Sequence, residues 1–166
     1  QVGAGIAQAE HLKRVEQLVY IDDLTGLANR RAFEDRLDIA FAHHHELGTP
    51  IGVIVVDVNG LKQINDTFGH SAGDAALTRI AELLSRNIRE SDVVGRLGGD
   101  EFGVILSHAD EPAAVDKAAQ LAKVIADTPF DWQGKAIKLS VSWGSHAFSS
   151  GGDPAHALDA ADREMR

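Results

Sequence analysis

The order of apolar patterns along this chain predicts an α+β fold, a ferredoxin-like βααββαβ plan in which helices pack on a central, mostly antiparallel sheet behind one extra helix. Three observations carry that prediction. Ile51 to Val58 is a continuous apolar run rich in β-branched residues, the pattern of a strand buried on both faces, and Asp57 emerges at its end. Val93 to Ser107 is β-rich on either side of Gly98-Gly99 and reads as a hairpin. Helical spacing fills the intervals between these strands.

From the N-terminus, residues 4–21 read as a helix with Leu12, Val15, Leu18 and Val19 on one side. Fewer than three clear heptads are present, so this stripe is either the end of a coiled-coil stalk that pairs two copies or a docking helix. Phe33, Leu37, Ala40, Phe41 and His44 fall at helical spacing from Arg30 to about His45, before Gly48 and Pro50. Within that helix His43, His44 and His45 point in diverging directions, which predicts solvent exposure rather than a metal site. Gly60 to Phe68 reads as a short helix closed by Gly69, where His70 shapes the turn. A longer helix to about Asn87 carries Leu77, Ile80, Ala81, Leu84 and Ile88 on one face. Ala114, Ala118, Leu121, Ala122 and Ile125 mark a further helix, Ala136 to Phe148 alternates as a single strand, and Asp153 opens the last helix.

The 166 residues, 44% of them hydrophobic, suffice for one good core, and no shift in composition divides them. The chain therefore reads as an N-terminal helical extension over residues 1–20 and one domain over 21–166. It starts at Gln1 and stops at Arg166 inside a helical pattern, so it is expected to be a piece of a longer protein with a truncated C-terminus. No apolar run approaches bilayer length, and no signal-peptide progression opens the chain. With no cysteine there is neither a disulfide framework nor a thiolate zinc site, and a cytoplasmic location is expected, including as the output domain of a larger signalling protein. The formal charge of −9 and the dispersed Lys and Arg argue against a nucleic-acid surface, and no direct membrane contact is expected.

The chemistry concentrates at Arg96-Leu97-Gly98-Gly99-Asp100-Glu101-Phe102. Two glycines are expected to take positive φ and admit a ligand closely, while the flanking strands fix Asp100 and Glu101. Taken alone, Gly-Gly-Asp-Glu is more often an ordinary solvated turn. If the hairpin lies beside the Ile51–Val58 strand, however, Asp57 joins Asp100 and Glu101 at one end of the sheet. Such hard oxygen donors suit Mg²⁺, which binds through one or two carboxylates together with substrate phosphates.

Four further segments decide against the ordinary turn. Asp22 to Arg31 reads DDLTGLANRR, Asp57 to Leu77 reads DVNGLKQINDTFGHSAGDAAL, Arg89 to Asp92 reads RESD, and Ala160 to Met165 reads AADREM. With the Gly-Gly-Asp-Glu-Phe turn these resemble, in order and from about residue 20 to the end, the GGDEF family of diguanylate cyclases. The resemblance implies a palm-like fold shared with other nucleotide cyclases and polymerases. It implies condensation of two GTP into cyclic di-GMP and two pyrophosphates across a homodimer of domains, a single domain being inactive.

By the same resemblance, two Mg²⁺ (or Mn²⁺) ions per site are held by Asp57, the Val58 carbonyl and Asp100. Asp100, with Glu101 as the close second, accepts the proton of the attacking 3′-hydroxyl, and Lys62 meets phosphate oxygens. Asn65 and Asp74 match the pair that reads guanine, and Arg89 and Asp92 match the inhibitory site that binds the product. Without the resemblance, Lys62 reads as a solubilising charge, Asp74 as a helix-start acid, and Arg89 with Asp92 as a surface ion pair.

Two departures from the family pattern stand out. Asn59-Gly60-Leu61 replaces a common Asp-x-Phe, and Arg166 occupies an aromatic position beyond which the family carries phosphate-holding Lys and Arg. Two other readings stay open: a silent module that binds GTP or cyclic di-GMP without turnover, and a purine cyclase forming a monomeric cyclic nucleotide. The intact Asp57, Lys62, Asp100 and Glu101 argue against the silent module.

Overall fold

The computed structural model describes residues 19–165. The expected N-terminal extension over 1–20 lies outside them, except for Val19 and Tyr20. The elements are α1 (Arg30–Leu47), β1 (Ile51–Val58), α2 (Leu61–Phe68), α3 (His70–Arg86), β2 (Val93–Arg96) and β3 (Glu101–Ser107). They continue with α4 (Glu111–Asp127), β4 (Phe130–Trp132), β5 (Lys135–Ile137), β6 (Val141–Phe148) and α5 (Pro154–Asp162). The main sheet runs β2-β3-β1-β6, every pair antiparallel, and β4-β5 forms a separate ribbon. This is the α+β architecture that the sequence predicts.

The central strand explains its own composition. Successive β1 side chains point to opposite faces, and both faces are covered. Ile51, Val53 and Val55 pack with Phe33, Leu37 and Phe41 of α1 and Ala157 and Ala161 of α5. Ile54, Val56 and Val58 pack with Ala76, Ile80 and Leu84 of α3 and Ala118, Leu121 and Ile125 of α4. Helix α1 starts where the Asn29 side chain accepts from the Ala32 N–H, and it stops at Gly48 in the left-handed conformation, φ 69°.

One glycine pair positions the hairpin. Gly95 of β2 sits opposite Gly103 of β3, and the Phe33 ring lies on both. A Cβ at Gly103 would come within 2.7 Å of Phe33 Cζ, and one at Gly95 within 2.9 Å of Cδ2. Fully buried Phe33 therefore clamps the hairpin onto α1 by close approach.

Two sequence expectations fail. Ala136 to Phe148 is not one strand: Lys135–Ile137 belongs to the small ribbon with Phe130–Trp132, and the main-sheet strand begins at Val141. The ribbon turns at Gln133 and Gly134, φ 49° and 82°, the pair of positive angles that a tight hairpin turn requires. His44 is buried rather than exposed. Its ring nitrogens face the carbonyl oxygens of Thr49 and Gly151, and its ring meets Phe41 edge-on.

Candidate functional site

The three acids meet where β1 ends and the hairpin turns. Asp57 stands directly across from Glu101 in the β1–β3 register, and the Val58 N–H donates to the Asp100 carbonyl at 2.9 Å. The tip closes on itself, with the Leu97 N–H donating to the Glu101 carbonyl at 2.8 Å. Gly98 and Gly99 do not take positive φ, contrary to expectation. Their contribution is bareness: a Cβ on Gly99 would meet nothing within 4 Å, so the rim of the site is open.

What fixes the tip is Arg96, whose role the sequence reading missed. Its Nε and Nη2 donate to the carbonyls of Gly98 and Gly99 at 3.1 and 2.9 Å, and its Nη1 lies 3.2 Å from both oxygens of Asp22. Asp22 also accepts from the N–H and hydroxyl of Thr25 at 2.9 and 2.7 Å. Burial pushes the Asp22 carboxyl up, but the Thr25 hydrogen bonds and the Arg96 guanidinium outweigh it and hold the group below its usual range. The only sequence signal was that Asp22 and Arg96 belong to two of the matched segments.

The acids themselves are held unfavourably. Burial, then the charges of Asp100 and Asp162, push Asp57 upward. Burial, then Asp57, push Glu101 upward against the relief of Arg30, whose Nη1 is 4.0 Å from Glu101. Asp57 Oδ1 is buried and has no hydrogen-bond partner. A desolvated, unpaired carboxylate oxygen among like charges fits a divalent cation. Among the described residues no three acidic or histidine side chains cage an ion by themselves. That partial set matches an ion completed by water and phosphate. Asn59 is tied to the neighbouring strand through Ser142 and Ser140 at 2.8 and 3.2 Å, so its amide is engaged there.

The profile of the GGDEF diguanylate cyclase domain matches residues 19–166. The chain belongs to the GGDEF diguanylate cyclase family. It is 35% identical over 155 residues to the diguanylate cyclase DgcP of Pseudomonas aeruginosa, covering 93% of this chain and 23% of that one. It is 35% identical over 148 residues to the diguanylate cyclase DosC of Escherichia coli, covering 89% and 32%. The chain thus spans a third or less of either relative's length. The crystal structure of the coiled coil and GGDEF domain of DgcB from Caulobacter crescentus, in complex with c-di-GMP, superposes with a TM-score of 0.89. It is 27% identical and covers 98% of this chain and 86% of that one.

In this GGDEF domain the other expected site residues fall in three places. Lys62 is exposed in the first turn of α2, just past the end of β1, where Gly60 takes φ 68° to start the helix. Asn65 and Asp74 flank the α2–α3 corner, which is turned by Gly69 at φ 96°. Asn65 Oδ1 is buried and unpartnered, while Asp74 is exposed. Arg89 and Asp92 lie away from the acids, lining a cavity of about 230 Å³ together with His108 and Lys117. They do form an ion pair, at 3.4 Å. The Asp92 side chain is only 1% exposed, and it accepts from the N–H groups of Arg89 and Ser107 at 2.9 and 3.0 Å. Asp92 is thus committed to the fold, and the Arg89 guanidinium remains largely exposed.

Proposed function

We propose that this domain condenses two GTP into cyclic di-GMP and two pyrophosphates, as a pair of domains each holding one nucleotide, under feedback inhibition by the product. The observation that best supports this reading is the convergence of Asp57, Asp100 and Glu101 around a buried carboxylate oxygen with no partner. Asp57, the Val58 carbonyl and Asp100 would hold Mg²⁺ or Mn²⁺, two ions per site. When bound, these supply charge stabilisation for an in-line displacement at the α-phosphorus.

The residues divide the remaining work. Asn65 and Asp74 orient the guanine, the carboxylate accepting from its N1 and N2 hydrogens. Lys62 neutralises phosphate charge as the leaving group departs. The 3′-oxygen of one GTP forms a bond to the α-phosphorus of the other, the bond to the bridging oxygen breaks, and pyrophosphate leaves. The hydroxyl proton passes to the Asp100 carboxylate, with Glu101 beside it. Repetition in the opposite sense closes the ring, which is why one domain does not suffice. The cavity lined by Arg89 and Asp92 takes the product.

The test is incubation of concentrated protein with GTP and Mg²⁺, followed by chromatography and mass analysis at several protein concentrations. Cyclic di-GMP formed at a rate rising faster than linearly with protein is expected. Retained nucleotide binding without product would select the silent module, and a monomeric cyclic nucleotide would select the purine cyclase.

A further inference from the structure

We propose that Gly73 is a positioning residue for guanine selectivity: its missing side chain is the space that the Asn65 amide occupies. This rests on the reading of Asn65 and Asp74 as the guanine-recognising pair. A Cβ on Gly73 would lie 1.8 Å from Asn65 Oδ1, 2.8 Å from its Cγ and 3.3 Å from its Nδ2. The amide therefore lies against the bare Cα of α3.

Nothing about the helix itself asks for glycine there. Gly73 is not among the positive-φ residues, it is buried within α3, and glycine is a poor helix former. Asn65 Oδ1 has no hydrogen-bond partner, so shape rather than a polar bond at that oxygen sets its position. The backbone leaves little room for the corner to yield. The Gly69 N–H donates to the Asn65 carbonyl at 2.8 Å, and the Gly69 carbonyl accepts from Ala72 and Gly73 at 3.1 and 3.4 Å. Asp74 follows Gly73 directly, so with the corner held by its backbone the Gly73–Asn65 contact places the amide relative to Asp74, these being the two side chains that face the base. A methyl at position 73 expels the amide while leaving Asp74 in place.

A double-mutant cycle tests this, reading GTP affinity, GTP preference over ATP (whose base carries a 6-amino group in place of the 6-oxygen and lacks the 2-amino group) and kcat. Gly73→Ala is expected to weaken GTP binding and to reduce the preference for GTP about tenfold, with a smaller change in kcat. In an Asn65→Ala background the same change is expected to do nothing further, because no amide remains to be displaced. Should Gly73→Ala fail to fold, recovery of folding in Gly73→Ala/Asn65→Ala still identifies Asn65 as the group it strikes. The inference is overturned if Gly73→Ala keeps native affinity and preference, or if its effect is the same in both backgrounds. If Asn65→Ala and Asp74→Ala both leave the guanine preference unchanged, it is the base-reading assignment that fails.

Discussion

Asp57 carries its charge at the expense of the fold. Burial and the neighbouring Asp100 and Asp162 raise its pKa, and Glu101 is raised in the same way. A carboxyl raised on folding contributes stability below its unfolded pKa and loses it as pH climbs through the folded value, so at neutral pH these groups oppose folding. Asp57→Asn is therefore expected to raise the metal-free melting temperature at neutral pH by roughly 1–3 °C, on the scale of under 1 kcal/mol for a domain of this size. The same change should lower GTP turnover at least about a hundredfold. Calorimetry and product analysis check the two halves, and a lower melting temperature would mean that the carboxylate has a stabilising partner. Protons compete with a metal for the same oxygens, so Mg²⁺ should raise the melting temperature more at about pH 7.5 than at about pH 5. An equal shift at both would place the ion elsewhere. At this scale Asp57, Asp100 and Glu101 were legible in sequence because their segments stand out one by one. Gly73 was not, because the need for glycine comes from a side chain on another helix.

Between residue and domain, the hairpin tip behaves as a unit fastened by Arg96. Its guanidinium joins two tip carbonyls to Asp22, 74 positions away in sequence. Arg96→Ala removes the cation from the partly buried Asp22 carboxylate and frees the two exposed tip carbonyls, and it is expected to cost about 1 kcal/mol in denaturant unfolding, with turnover falling as Asp100 loses its fixed place. Unchanged stability and turnover would show that the tip holds itself. Because Asp22 is held below its usual range, this stabilisation is complete at neutral pH and is lost as pH falls through the lowered value. The turn of Arg89 to Asp92 divides its labour differently. Arg89→Ala is expected to abolish product inhibition and leave basal turnover intact, because the guanidinium, which donates to the Ser107 carbonyl and to Asp92, is largely exposed and lies away from the acids. Normal inhibition in that variant would remove the product-site assignment. Asp92 variants are poorer probes, since the carboxylate also ties the turn to β3.

Across the whole molecule, the sheet is buried on both faces, and the covering helices come close where side chains are absent. Helix α5 lies against β6 at Gly144, where a Cβ would fall 2.1 Å from the Ala161 carbonyl oxygen. Gly144→Ala must push α5 outward, and a loss of about 1–3 kcal/mol in unfolding free energy is expected. Next to Ala161 is Asp162, whose charge acts on Asp57 and Glu101, so the displacement should also alter their titration. An unchanged unfolding midpoint would show that the helix moves freely. Among the described residues no helix is long and apolar enough to cross a membrane.

Sequence by itself determined the elements whose signal is local. The β1 run is apolar up to Asp57 because both its faces are covered, the starts of α1, α4 and α5 carry the capping side chains of Asn29, Asp110 and Asp153, and the Gly-Gly-Asp-Glu tip is written in consecutive residues. Tertiary structure alone decided what depends on distant partners. His44 is buried by a carbonyl 107 positions away. The alternation from Ala136 to Phe148 is divided between two sheets, because Lys135–Ile137 finds a nearer partner across the Gln133-Gly134 turn. Gly98 and Gly99 leave the rim bare and do not take positive φ. Arg96 and Asp22 meet only when the hairpin folds onto the turn before α1. Periodicity records which way a side chain points, whereas the group it meets is set by the packing of elements far apart in the chain.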